Sequence, residues 1–247
     1  MLKQWGSLLR GHEFDLQDWR GMLKPPFEPW IEVHGQDTIL RSNSFDELTS
    51  TDEVRDRAVA HIERLNGAMF VMMQGQPLQF WGVVEFASDG TMHRTLFAER
   101  NDTIRARMHA SALVIGADGK EKPPAPPTQT EVQRWAAIAD NDDLLEDALI
   151  YFGRVSAPGQ PHPPTFWFDI YKALECLVER FGGNKKREDT FFALDWVPPQ
   201  VERLKQTANW SRHARRKYKK PSQPTTEQEA IELMVRLLRK AFENVGP

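Results

Sequence analysis

The sequence predicts an α+β fold: an N-terminal, mostly antiparallel sheet carrying a helix, followed by a C-terminal antiparallel helical bundle. Three observations point there. Between about residues 68 and 115 the period changes: after a short apolar run, residues alternate in Phe80–Phe86 and again from Ala106 to Val114, the period of a half-buried strand. After about residue 165 the period becomes helical and stays so. Two stretches with four prolines each, Lys122–Pro127 and Ala157–Pro164, read as stiff joints between these regimes. Composition and period both change across the second joint. It is taken as the boundary between an α+β domain at 1–155 and a helical domain at 156–247.

The elements follow in order. Residues 1–29 show little periodicity, and Pro25-Pro26-Phe27-Glu28-Pro29 reads as extended or turn-like, because each Pro pushes its predecessor out of the helical region. Trp30–Leu40 reads as strand, turn at Gly35, strand. Ser50-Thr51-Asp52-Glu53 is a capping box opening a helix with Val54, Ala58, Ile62 and Leu65 on one face, and Asn66-Gly67 marks its expected end. Ala68–Met73 is a short apolar run. Phe80–Phe86 and Met92–Phe97 read as a hairpin around Ser88-Asp89-Gly90, and 106–115 as a further strand. Two short helices are expected near 130–139 and 142–153. In the C-terminal part, Thr165 is placed as the cap of a helix that Gly182-Gly183 stops. A second helix starts at Val197-Pro198-Pro199, where Pro suits a first turn. Thr226-Glu227-Gln228-Glu229 is a capping box for the last helix, whose stripe is Ile231, Met234, Val235, Leu238 and Phe242.

The 247 residues are 40% hydrophobic and 27% charged, as in globular proteins. No apolar run reaches the roughly 20 residues that cross a bilayer, so no membrane association is expected. The single Cys, Cys176, excludes an intrachain disulfide framework, and a reducing, cytoplasmic setting is the simplest expectation. The seven His are scattered without metal-ligand spacing, and no phosphate-cradling Gly loop or nucleophile elbow occurs, so neither metal nor cofactor is expected. Charge is uneven. Residues 161–247 hold 16 Lys and Arg against 11 Asp and Glu, while the whole chain has a net charge of −3. The C-terminal part is therefore suited to meet an anion such as nucleic acid, unless the two parts neutralise each other.

That surplus concentrates in Ala208–Lys220. Arg212, Arg215, Arg216, Lys217, Lys219 and Lys220 fill six of nine positions, with Tyr218 among them, a pattern suited to phosphate contact and base stacking. The competing structural reading is a solvated run of charges after a helix. Asn209 and His213 lie four apart, which on a continuous helix is one face. Asn209-Trp210-Ser211-Arg212-His213 resembles the core motif of the HEPN superfamily, helical domains of prokaryotic toxins and defence proteins. That motif runs Arg, a polar residue that is often Asn, three variable residues, then His. The family Arg falls on position 208, here Ala208.

The resemblance implies an RNA-binding domain in bacterial stress or phage defence. In active members it implies metal-independent RNA cleavage at a site that two copies complete as a homodimer. His213 would be the acid or base, Asn209 would hold a phosphate oxygen or orient the His, and Arg212 is the nearby candidate for the charge-stabilising role. Glu175, with Tyr171 one turn earlier, would brace the motif helix by holding Arg212 or Lys205. From another class comes the alternative of a non-catalytic dimerisation or adaptor module with a vestigial site. His213 then simply ends a helix, where the dipole favours it.

Overall fold

The computed structural model describes residues 4–87, 89–97, 126–155, 165–183, 193–194, 196–213 and 217–245. The chain forms two compact units, residues 1–58 with 78–133 and residues 59–77 with 134–247. The mixed α+β class holds. The expected strand at 106–115 and the Ala157–Pro164 joint lie outside the described residues.

The first unit is built on a five-stranded antiparallel sheet in the order β2-β3-β1-β4-β5, with β1 Gln4–Arg10, β2 Trp30–His34, β3 Asp37–Arg41, β4 Gln79–Phe86 and β5 Met92–Leu96. The two expected hairpins are present. Gly35, at φ 64°, turns β2 into β3, and Gly90, at φ 84°, turns β4 into β5, conformations that cost glycine nothing. Asp89 Oδ1 accepts from the Thr91 N–H at 2.8 Å within the second turn.

The weakly periodic stretch before Pro25 forms a strand and a helix. β1 is the central strand, and Trp5, Ser7, Leu8 and Leu9 are all buried, so both faces are covered and no alternation marks it. Helix α1, Glu13–Met22, follows. Its cap is the ring of His12, accepting from the Phe14 N–H at 3.3 Å, instead of a usual capping residue. The proline loop after it is held by the fully buried Gln133, whose amide nitrogen reaches the carbonyls of Lys24 and Phe27 at 2.8 Å and of Pro29 at 3.0 Å. A short helix α2, Asn43–Asp46, leads towards α3, Thr51–Met73. The capping box at the start of α3 is formed: Ser50 Oγ accepts from the Glu53 N–H, and Glu53 accepts from the Ser50 N–H at 3.1 Å.

Helix α3 does not stop at Asn66-Gly67 but runs on through the apolar 68–73 run. The second unit explains why. Helix α5, Asp143–Arg154, crosses α3 so closely that a side chain at Gly67 would strike the Leu149 backbone, and one at Gly153 would lie 2.8 Å from the Gly67 nitrogen. Gly67 serves a helix crossing, not a helix end. Beside the crossing, Arg64 is 2% exposed and donates to Asp140, to Glu146 at 3.1 Å, and meets His61 Nδ1 at 3.1 Å.

Helices α4, Glu131–Ala139, and α5 match the expected pair. Helix α6, Phe166–Arg180, packs against α5, α7 (Pro198–Arg212) and α8 (Glu227–Val245). Thr165 does not cap α6. Its backbone is already in the helical region and its side chain makes no capping bond. Gly182 and Gly183, at φ 120° and 64°, end α6 as expected, with the Gly183 N–H donating to the Val178 carbonyl at 2.7 Å. The Thr226 capping box forms, Thr226 Oγ1 accepting from the Glu229 N–H and Glu229 from the Thr226 N–H at 2.8 Å. Ile170, Leu174, Leu177, Val201, Leu204, Ala208, Met234, Leu238 and Phe242 are buried, and Trp135 stacks on Phe242 with ring centroids 4.2 Å apart.

Candidate nucleic-acid interface

Helix α7 begins with Pro198 and Pro199 in its first turn, where their missing N–H groups cost nothing. Val201, Leu204 and Ala208, spaced three and four apart, turn one stripe into the core. Ala208 is 0% exposed. The position that the motif would give to Arg therefore faces the core, and a guanidinium there would be desolvated without a partner.

The helix ends at Arg212. His213 is its C-cap with extended backbone, φ −108° and ψ 164°. The one-turn spacing of Asn209 and His213 is thus not carried by a continuous helix. Asn209 is engaged elsewhere: its Oδ1 accepts from Arg212 Nη2 at 2.8 Å and Nε at 3.2 Å. The same guanidinium lies 3.6 Å from the ring centroid of Tyr171 on α6, a close cation–π contact. Tyr171 thus supports Arg212. Glu175 does not, because its carboxylate accepts from Lys172 at 2.8 Å. Lys205 lies 5.2 Å from the Trp196 ring centroid and 4.0 Å from Glu202. Tyr171, Leu174, Glu175, Val178, Glu179 and Lys205 line a groove of about 210 Å³ along α6.

His213 turns towards the segment that follows. Its ring centroid is 5.0 Å from that of Tyr218. Its imidazole is held below the ordinary histidine range, first by desolvation and then by the charges of Lys217 and Arg212. The neutral ring therefore dominates at neutral pH. Tyr218 is 38% exposed, with Lys217 Nζ 5.7 Å from its ring centroid. Lys217, Lys219 and Lys220 are exposed, and Lys220 Nζ lies 5.2 Å from the half-buried Trp210 ring. Arg215 and Arg216 lie outside the described residues. In sequence, Trp210 is marked only by its place next to the basic run.

The structure thus gathers two clusters at the end of α7. One is a closed triad, Asn209, Arg212 and Tyr171. The other, among the described residues, is an open surface of two aromatic rings, one imidazole and three lysines. Among the described residues no three His, Cys, Asp or Glu side chains gather as metal ligands, and no helix is long and apolar enough to cross a membrane. No family model, curated protein or solved structure matches the chain.

Proposed function

We propose that the chain binds RNA through the C-terminal end of α7 and the turn after it, and that its HEPN-like motif serves binding and not cleavage. The observation that carries this reading is the exposed Tyr218 ring, set against His213 and flanked by Lys217, Lys219 and Lys220. Single-stranded nucleic acid is held by such a combination, charges along the backbone and a ring under a base, without sequence readout. Against cleavage stand the buried Ala208 and the engagement of Asn209 with Arg212, which leave His213 without its two motif partners. The homodimer implied by the resemblance belongs to the same proposal. Its check is light scattering of the whole chain, where a monomer counts against it.

The test of binding is fluorescence anisotropy of a labelled single-stranded RNA across a salt series. Reversing Lys217, Lys219 and Lys220 to Glu should abolish binding at moderate salt and lower the salt slope by roughly 2, since each phosphate neutralised on a single strand adds about 0.7 to it. Tyr218→Ala should weaken binding roughly tenfold, the scale of one base stacked on an aromatic ring. Wild-type protein that retains no RNA at low salt sinks the proposal. Cleavage in the presence of a chelator that His213→Ala removes would restore the ribonuclease reading. The adaptor alternative gains ground if the chain dimerises and holds no RNA.

A further inference from the structure

A separate cavity in the second unit, of about 570 Å³, lies between α7, α8 and the residue that ends α3. That volume falls within the range of small-ligand sites. Gln74, Gln200, Arg203, Glu229, Glu232 and Arg236 supply its polar wall, and Ile231 and Val235 an apolar part.

The charges on this wall are arranged unusually. Glu232 and Arg236 stand four apart on α8 with the acid first, the order that favours an ion pair along a helix. Among the described residues they do not pair. Arg236 Nη2 donates to the Gln200 carboxamide oxygen at 2.6 Å, and Glu232 accepts from the Gln228 amide at 2.9 Å. Each charge meets a neutral amide in place of an opposite charge. Arg203 and Glu229, by contrast, close on each other at 2.9 Å. Two further features mark the wall. Gln74 has φ 52°, the only left-handed non-glycine backbone among the described residues. Gly or Asn would end α3 there with less strain, so a Gln at this point places a carboxamide on the cavity at a conformational cost. Thr225, also on the wall, is buried, and its hydroxyl has no hydrogen-bond partner among the described residues.

We propose that this cavity binds a free α-amino acid. Such a ligand carries an anion and a cation on one carbon, matching a guanidinium and a carboxylate one helical turn apart that pair with no opposite charge among the described residues. The carboxylate sits on Arg236, which can hold it with two parallel N–H donors. The ammonium sits on Glu232. The amides of Gln74 and Gln200 complete the hydrogen bonds, and the ligand side chain lies along Ile231 and Val235. A phosphate dianion is disfavoured, because Glu232 would face it with like charge. This site does not depend on the RNA-binding reading.

The test is isothermal titration calorimetry of the full chain with each standard L-amino acid in turn. At least one should bind with Kd below about 1 mM. Its N-acetyl and its carboxamide derivatives should each bind at least about tenfold more weakly. Arg236→Gln and Glu232→Gln, both at exposed positions, should each weaken binding by a similar factor, with circular dichroism confirming that the fold is kept. The proposal is overturned if no amino acid gives saturable heat, if the blocked derivatives bind as well as the parent, or if binding survives either substitution.

Discussion

Replacing Gly67 with Ala is the sharpest test of how the helices pack. In an open helix this change stabilises, because Gly costs about 1 kcal/mol relative to Ala. At Gly67 the added methyl would press on the carbonyl oxygen of Leu149, 2.7 Å from the carbonyl carbon and 3.0 Å from the Cα. Ordinary carbon contacts begin near 3.5 Å, so α3 and α5 must separate by roughly 1 Å or more. The obstruction is backbone, which has no rotamer to swing aside. Nearby, the Phe70 and Phe152 rings, 5.2 Å apart, would be drawn away from each other as the helices part.

Overpacking of this kind costs about 1–3 kcal/mol, and a rigid backbone obstacle puts the cost at the upper end. Subtracting the propensity gain leaves a net loss of about 2 kcal/mol. For a chain of this length that lowers Tm by roughly 4–8 °C. Thermal melting followed by far-UV circular dichroism reads it directly. Gly21 in α1 is the control, since nothing lies within 4 Å of a methyl placed there. Gly21→Ala should leave Tm unchanged or raise it slightly. A Gly67→Ala protein as stable as wild type would refute the close crossing and return Gly67 to the role of helix end.

Three more outcomes follow from the structure. Arg64→Met should destabilise by about 2–3 kcal/mol, below the usual cost of breaking a buried pair because Asp140 and Glu146 keep some solvent. Burial raises the Glu146 pKa and the Arg64 charge opposes that rise, so without Arg64 the rise grows. A carboxyl with a raised folded pKa loses stability as pH climbs through that window. The penalty of Arg64→Met, read by denaturant melts, should therefore shrink as pH falls from neutral into the carboxyl range. His213 is held below its ordinary range by desolvation and by Lys217 and Arg212, and a bound phosphate backbone would counter those cations. RNA binding should take up a proton and tighten as pH falls, which calorimetry in buffers of different ionisation heat detects; binding independent of pH would place His213 outside the contact. Cys176, whose thiol burial pushes up to about 11, should resist iodoacetamide in the native state and react promptly once the chain is unfolded.

Much of the fold was legible because the signals were local. The Ser50 and Thr226 capping boxes join residues three apart, and the Gly35 and Gly90 turns need only their own backbones. What escaped was decided by packing across distance. β1 shows no alternation because strands flank it on both sides and both faces are covered. Gly67 looks like a stop because glycine serves helix ends and helix crossings equally well, and only the position of Leu149, 82 residues on, tells the two apart. Thr165 looks like a cap because threonine often is one, but its backbone has already entered the helix.

The same division runs through the candidate interface. The density of charge between Arg212 and Lys220 is a property of sequence alone. The use of each charge is not. Arg212 is drawn out of that run by Tyr171, 41 residues earlier on α6, and by Asn209, so Asn209 and Arg212 hold each other. Among the described residues of the run, Lys217, Lys219 and Lys220 are the outward charges, with Tyr218 between them. A site for cleavage needs a cation and a base converging on one phosphate; a site for retention needs cations spread along a backbone and a ring beside them. On the binding reading, the turn of the chain at His213 is the decisive event. It breaks the face on which Asn209 and His213 would have met, and it carries the imidazole to the open aromatic and basic surface instead.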